Sequence, residues 1–227
     1  MDIRILMEHK LHTVDGSTIH WPVYETCFFD QKIVYPNLTL LIDHFNVIEQ
    51  EFLIIKNNVP ELWHQWIENQ LDVFPLYFFG KWTSIAKQYL PNTCHLLQQL
   101  GDSMVTANIS CLKSHSQIQP HMGWGDLANH ILRCHLGISV PDVCGCVCDN
   151  FVVMHKTKEW LVFDDSKMHS SFNYSDTHRF ILIIDMKRPD TIPVGQCKLA
   201  YSDNLLKFIE SFYNEDDIND IRKKISN

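Results

Sequence analysis

From about residue 104 the chain becomes a series of short β-branched runs closed by turn residues, and this feature most limits the folds open to it. "MVTANISCL", "ILRCHLGISV", "GCVCDNFVVM", "EWLVFDD" and "RFILIIDM" follow one another at short intervals. β-Branched and aromatic side chains fit a pleated, half-buried surface, so many such runs in succession predict an antiparallel sandwich or barrel. Ahead of them, Leu38, Leu41, Ile42, Phe45, Ile48, Phe52 and Ile55 recur at helical spacing over residues 38–56. "PELWHQWIENQL" (60–71) reads as a further helical turn or two opened by Pro60. "NTCHLLQQL" (92–100) reads as a short helix capped by Asn92 and ended by Gly101. The expected architecture is mainly β with flanking helices, in one domain over 1–227. It has a mixed helical part over 1–100, a β core over 101–190 and a partly exposed helical tail over 200–227.

Composition narrows the partners. With 19 basic and 27 acidic residues the net charge is −8, and the longest basic cluster is "RKK" (222–224), so a nucleic-acid surface is not expected. "MDIRILMEHKLH" lacks the pattern of a signal peptide, and apolar runs such as "FILIID" (180–185) are too short to span a bilayer. A soluble, cytoplasmic chain with reduced cysteines is the expectation. Cys144, Cys146 and Cys148 would share one face of a strand, and no spaced second pair completes a thiolate metal site. They read as small buried side chains.

The chemistry begins at "QPHMGWGD" (119–126). His121 sits in a turn-like setting, and His169 closes "LVFDDSKMH" 48 residues later. Strand ends and hairpin mouths of an antiparallel core converge on one opening, where two imidazoles with open coordination positions suit a non-haem iron. On spacing alone the alternative, two surface turn histidines among the chain's 13, stays open. The His-x-Asp pattern that many iron sites use is absent, because the second residue after His121 is Gly123. Arg133 and His135 alternate onto one strand face, and burying both requires partners.

"QPHMG", "RCHLGISVP", "LVFDDSKMH" and "HRFILIIDMKRP", in this order, resemble the aspartyl/asparaginyl β-hydroxylase family, with the likeness running from "DVFPLYFFGKW" (72–82) to "DMKRP" (185–189). The resemblance implies a double-stranded β-helix (a jelly-roll, cupin-like core) and an Fe(II)- and 2-oxoglutarate-dependent dioxygenase. It assigns iron to His121 and His169, and leaves Gly123 as a position where water completes the shell. Asp126 and Asp165 would orient ligands or water without binding the metal themselves. Arg179 and Ser110 match the pair that holds the far carboxylate of 2-oxoglutarate. His135 falls near the iron-bound end of that cosubstrate, and Arg133 is open between a substrate and a cosubstrate role. "FDDS" (163–166) is shared with the family and reads equally as a plain turn, while "CGCVCD" (144–149) departs from the Gly-rich stretch usual there. Trp124 is a candidate wall of the substrate pocket.

The implied reaction consumes 2-oxoglutarate and O2, releases succinate and carbon dioxide, and hydroxylates an unactivated carbon. The favoured substrate is the β-carbon of Asp or Asn in a peptide or protein. The alternatives are a lipid or small-molecule hydroxylase on the same fold, or a non-catalytic β-helix binding protein. Gly123 also leaves halogenation as a rival, since an open position admits chloride. Gly123→Ala is expected to be tolerated unless the added methyl strains the turn.

Overall fold

A computed structural model describes residues 11–12, 18–19, 27–123, 125–198 and 203–225. The strands are β1 (Leu11–His12), β2 (Thr18–Ile19), β3 (Phe28–Phe29), β4 (His64–Ile67), β5 (Leu71–Phe78), β6 (Lys81–Trp82) and β7 (Met104–Leu112). They continue with β8 (Ser116–His121), β9 (Ile131–Ser139), β10 (Cys144–Cys148), β11 (Phe151–Met154), β12 (Trp160–Phe163), β13 (His169–Asn173) and β14 (Arg179–Lys187). The helices are α1 (Gln31–Val34), α2 (Thr39–Asp43), α3 (Phe45–Asn58), α4 (Ser84–Tyr89), α5 (Pro91–Gln98), α6 (Asp203–Glu210) and α7 (Glu215–Ile225).

From β7 onward the chain winds between two antiparallel sheets. The large sheet holds β12-β9-β14-β7 as neighbours, extended by β3 at one side and by β5 and β4 at the other; the small sheet runs β11-β10-β13-β8. Strands consecutive in sequence therefore alternate between sheets, apart from the β10–β11 hairpin. This is the topology of a double-stranded β-helix, as the resemblance implied.

The large sheet has a dry face. Leu132, Cys134, Leu136 and Ile138 of β9 and Leu182, Ile184 and Met186 of β14 share one apolar cluster with Leu38, Leu41, Phe45, Ile48, Phe52 and Ile55. The helical side chains are those expected from the 3.6-residue period, although the helix is interrupted at His44, between α2 and α3. The tail forms two helices rather than one, and Ile209 and Ile221 pack against Phe78 and Phe79. Among the described residues no helix is long and apolar enough to cross a membrane. All eight cysteines are free and buried.

Three expectations need correction. Residues 60–71 hold one 3-10 turn and then a strand: β4 pairs with β5, and Trp63 packs edge-on to Phe74 and Phe180 at 5.7 Å. Sheet pairing and aromatic packing outweigh a short helical pattern there. Helix α5 starts at Pro91, and Asn92 lies inside it. The carboxylate of Glu51, on α3, caps that end by accepting from the N–H groups of Asn92 and Thr93 at 2.9 and 2.8 Å. Finally, "SQIQPH" and "HSSFN" are strands, β8 and β13, which the apolar pattern did not mark.

Candidate active site

The two unmarked strands carry the two histidines. His121 ends β8, His169 begins β13, and the two residues are direct partners across the pair. Their ring centroids are 4.2 Å apart. Each Nδ1 lies against the carbonyl oxygen two residues earlier in its own chain, 2.8 Å to Gln119 and 2.9 Å to Lys167. A carbonyl only accepts, so Nδ1 carries the proton in both rings and Nε2 keeps its lone pair. Burial holds His121 below the usual histidine range, and burial together with the neighbouring His121 holds His169 down at about 3. Both rings are therefore neutral at physiological pH, with Nε2 lone pairs of the kind a metal could accept.

The donor set fits a divalent first-row metal. Two neutral imidazoles with bare Nε2 atoms converge, and among the described residues no third His, Cys, Asp or Glu joins them as a metal cluster. A carboxylate nonetheless sits beside them. Asp165 is wholly buried, with Oδ1 3.4 Å from His169 Nε2 and 2.8 Å from Arg133 Nη1. Burial, opposed by Arg133, raises its pKa to about 7. Its backbone carbonyl accepts from the N–H of Gly123 at 2.8 Å. A Cβ built on Gly123 would overlap the Asp165 carboxylate. The space next to Gly123 is thus occupied by the side chain of Asp165, so the condition set on Gly123→Ala, that the added methyl causes no strain, is not met. Asp126 is instead bonded to Asn129 at 3.0 Å and lies 3.4 Å from His130.

Arg133 is held by carboxylates of the protein itself. Its Nε and Nη2 donate to Asp185 at 2.8 and 3.1 Å, and Thr106 donates to the same carboxylate at 2.6 Å. The chain Thr106–Asp185–Arg133–Asp165 runs through the interior to the histidine pair. In "FDDS" the two aspartates divide. Asp164 accepts from the N–H and hydroxyl of Ser166 at 3.0 and 2.6 Å and pairs with Arg188, a turn as the bland reading has it, while Asp165 faces the site.

Arg179 is the opposite case. It is 1% exposed, yet among the described residues its side chain makes a single long hydrogen bond, 3.5 Å from Nη2 to Ser110 Oγ, and its Nε and Nη1 have no partner. Among the described residues no carboxylate forms an ion pair with it, and burial lowers its pKa to about 10. Nearby, His135 is buried with Nδ1 3.1 Å from Nε2 of His155, a residue that sequence reasoning missed because a lone histidine after "FVVM" carries no motif. Asp185 was missed although it lies within "HRFILIIDMKRP", because nothing local separates it from the end of an apolar run. Cys144, Cys146 and Cys148 are buried with raised pKa values, as small core side chains should be. Trp124 lies outside the described residues. Flanking both histidines, Met122 and Met168 line a cleft of about 520 Å³ with Lys167, Arg188, Ile192 and Val194.

The model of the aspartyl/asparaginyl β-hydroxylase family matches residues 43–189. An ornithine lipid ester-linked acyl 2-hydroxylase of Rhizobium tropici is 25% identical over 74% of this chain and 61% of its own length. The human aspartyl/asparaginyl β-hydroxylase is 30% identical over 53% of this chain, which is 16% of that protein. The match therefore spans under two thirds of either relative. A 2OG-Fe(II) oxygenase from Burkholderia pseudomallei superposes loosely, with TM-score 0.46 and 12% identity over 67% of this chain and 82% of that one.

Proposed function

The chain belongs to the aspartyl/asparaginyl β-hydroxylase family, and on that premise we propose that it is an Fe(II)- and 2-oxoglutarate-dependent hydroxylase. The observation that carries this reading is Arg179, a buried guanidinium with no anionic partner among the described residues. An uncompensated charge in a low-dielectric interior is strongly unfavourable, so the site is built for an anion that arrives from outside. A planar fork with two free N–H edges, beside the Ser110 hydroxyl, matches the far carboxylate of 2-oxoglutarate.

His121 and His169 hold the metal through Nε2, with both rings fixed by their Nδ1–carbonyl bonds. Asp165, anchored by Arg133, lies next to the pair and orients groups bound there. Arg133 acts through Asp165 in this reading, and its two carboxylate partners weigh against a primary role in holding substrate or cosubstrate. Bound iron and 2-oxoglutarate supply the oxidation: cosubstrate, O2 and a C–H bond become succinate, carbon dioxide and a C–OH bond. The protein contributes binding, orientation and exclusion of water.

The favoured substrate is an Asp or Asn β-carbon in a peptide or protein, as the family description suggests. A second reading, hydroxylation of an acyl chain, is favoured by the methionines at the cleft and by the lipid-modifying relative. The test is to measure succinate formed from 2-oxoglutarate with and without iron, then to offer Asp- and Asn-containing peptides and acylated lipids. A gain of about 16 mass units on one of them identifies the class. No succinate under any condition overturns the reading, and a halogenated product in the presence of chloride replaces hydroxylation by halogenation.

A further inference from the structure

His155 lies outside every motif that carries the family likeness, yet it stands among the residues assigned to the cosubstrate. It directly follows β11, its backbone N–H donates to Cys144 O at 3.0 Å, and the residue is buried. Its Nε2 is 3.1 Å from Nδ1 of His135, with the rings 23° from parallel. Among the described residues the outer nitrogens, His135 Nε2 and His155 Nδ1, have no hydrogen-bond partner, as is true of Nε and Nη1 of Arg179. Buried polar atoms are nearly always paired, so unsatisfied nitrogens on all three of these side chains point to a ligand.

Burial, and the nearby Arg179 charge, hold both imidazoles in the neutral form. A neutral pair shares two ring protons. One lies in the His135–His155 hydrogen bond, and the other must sit on an outer nitrogen. If His155 donates, His135 Nε2 is the outer N–H donor; if His135 donates, the donor is His155 Nδ1. His135 is the member linked to the His121–His169 pair through Phe163, whose ring lies 5.0 Å from His135 and 5.0 Å from His169.

We propose that His155 is a positioning residue for the cosubstrate: its Nε2–H donates to His135 Nδ1, fixing the tautomer in which His135 offers Nε2–H to a carboxylate of 2-oxoglutarate. The inference rests on 2-oxoglutarate being the cosubstrate. It explains why a second buried histidine is present where an apolar side chain would fill the space with no desolvation penalty. It also makes His135 part of a two-residue device, since without a partner its Nδ1 would be a further buried, unsatisfied atom.

The test titrates 2-oxoglutarate into the iron-loaded protein without oxygen, for wild type, His155→Phe and His155→Gln, and measures succinate turnover alongside. His155→Phe should raise both Kd and KM for 2-oxoglutarate by about tenfold or more, with a much smaller change in kcat. His155→Gln, whose amide reaches the position of Nε2 and can donate, should recover most of the loss. Nitrogen-15 NMR of the ring nitrogens gives a readout that a packing role would not move: His135 protonated at Nε2 in wild type, and no longer uniquely so in His155→Phe. An unchanged Kd in a folded His155→Phe, or a His155→Gln no better than His155→Phe, overturns the proposal. If His155→Phe does not fold, the wild-type spectrum decides, and a His135 protonated at Nδ1 overturns it. Failure of wild type to bind 2-oxoglutarate fails earlier and differently, removing the cosubstrate reading itself.

Discussion

The two faces of the large sheet are made by the same strands and could hardly be more different. On the helix side, Leu132, Leu136, Leu182 and Ile184 are fully buried against Phe52, Ile48 and their neighbours. On the other face, one residue away along the same strands, Arg133, His135, Arg179 and Asp185 are just as inaccessible or nearly so. Alternation along a strand makes this possible without any change of backbone. Each large apolar side chain on the dry face stabilises the fold by about 1.5–3 kcal/mol. The wet face contributes far less, because its charges must first be desolvated. Part of it is internally neutralised, through Thr106, Asp185, Arg133 and Asp165. Among the described residues the charge of Arg179 is not, and the outer nitrogens of His135 and of His155, which meets this face from the small sheet, have no partner. One face closes the fold, and the other carries polar groups that have no partner among the described residues.

That contrast can be broken from either side. The largest effect on chemistry is expected from His121→Ala or His169→Ala: turnover is abolished and iron affinity falls, while far-UV circular dichroism stays that of the folded protein. Full activity with stoichiometric iron in either variant would remove both residues from the site. The largest effect on stability comes from the dry face. Phe52→Ala should lose about 3–5 kcal/mol in urea unfolding, with the affinity of the remaining folded protein for 2-oxoglutarate little changed. A smaller effect is expected at the boundary, where Gly123→Ala forces its methyl into the Asp165 carboxylate, costing about 1–3 kcal/mol. The cost should shrink when Asp165 is already alanine, and a double-mutant cycle with no coupling would show that the two positions do not compete for space.

The dry face was largely legible in the sequence. Its helices announce themselves through Leu38, Leu41, Phe45, Ile48, Phe52 and Ile55, and its strands through β-branched runs such as "RFILIIDM". The wet face was legible mostly through family likeness. The strands that carry His121 and His169 are polar, and β8 is largely exposed, so no alternation of apolar residues marks them. Asn92 was read as a cap because capping is usually local, whereas the carboxylate that caps α5 comes from Glu51, 41 residues away. Asp185 acquires its role through its direct cross-strand neighbours Arg133 and Thr106, and His155 through His135 on the opposite sheet, and a residue that acts through partners distant in sequence leaves no local signature. Asp165 belonged to a shared motif, but its place against Gly123 depends on how two loops meet.

The most direct test of the contrast is Arg179→Met, followed both by urea unfolding and by anaerobic titration of 2-oxoglutarate. If the buried guanidinium exists for an incoming carboxylate, the apolar replacement should leave the ligand-free fold as stable as wild type, or more stable by about 1–4 kcal/mol. Affinity for 2-oxoglutarate should fall by about 2–5 kcal/mol, with Arg179→Lys recovering only part because a point charge cannot replace the fork. A variant that loses stability like Phe52→Ala, while binding 2-oxoglutarate as wild type does, would contradict the account and make Arg179 a structural residue of the core.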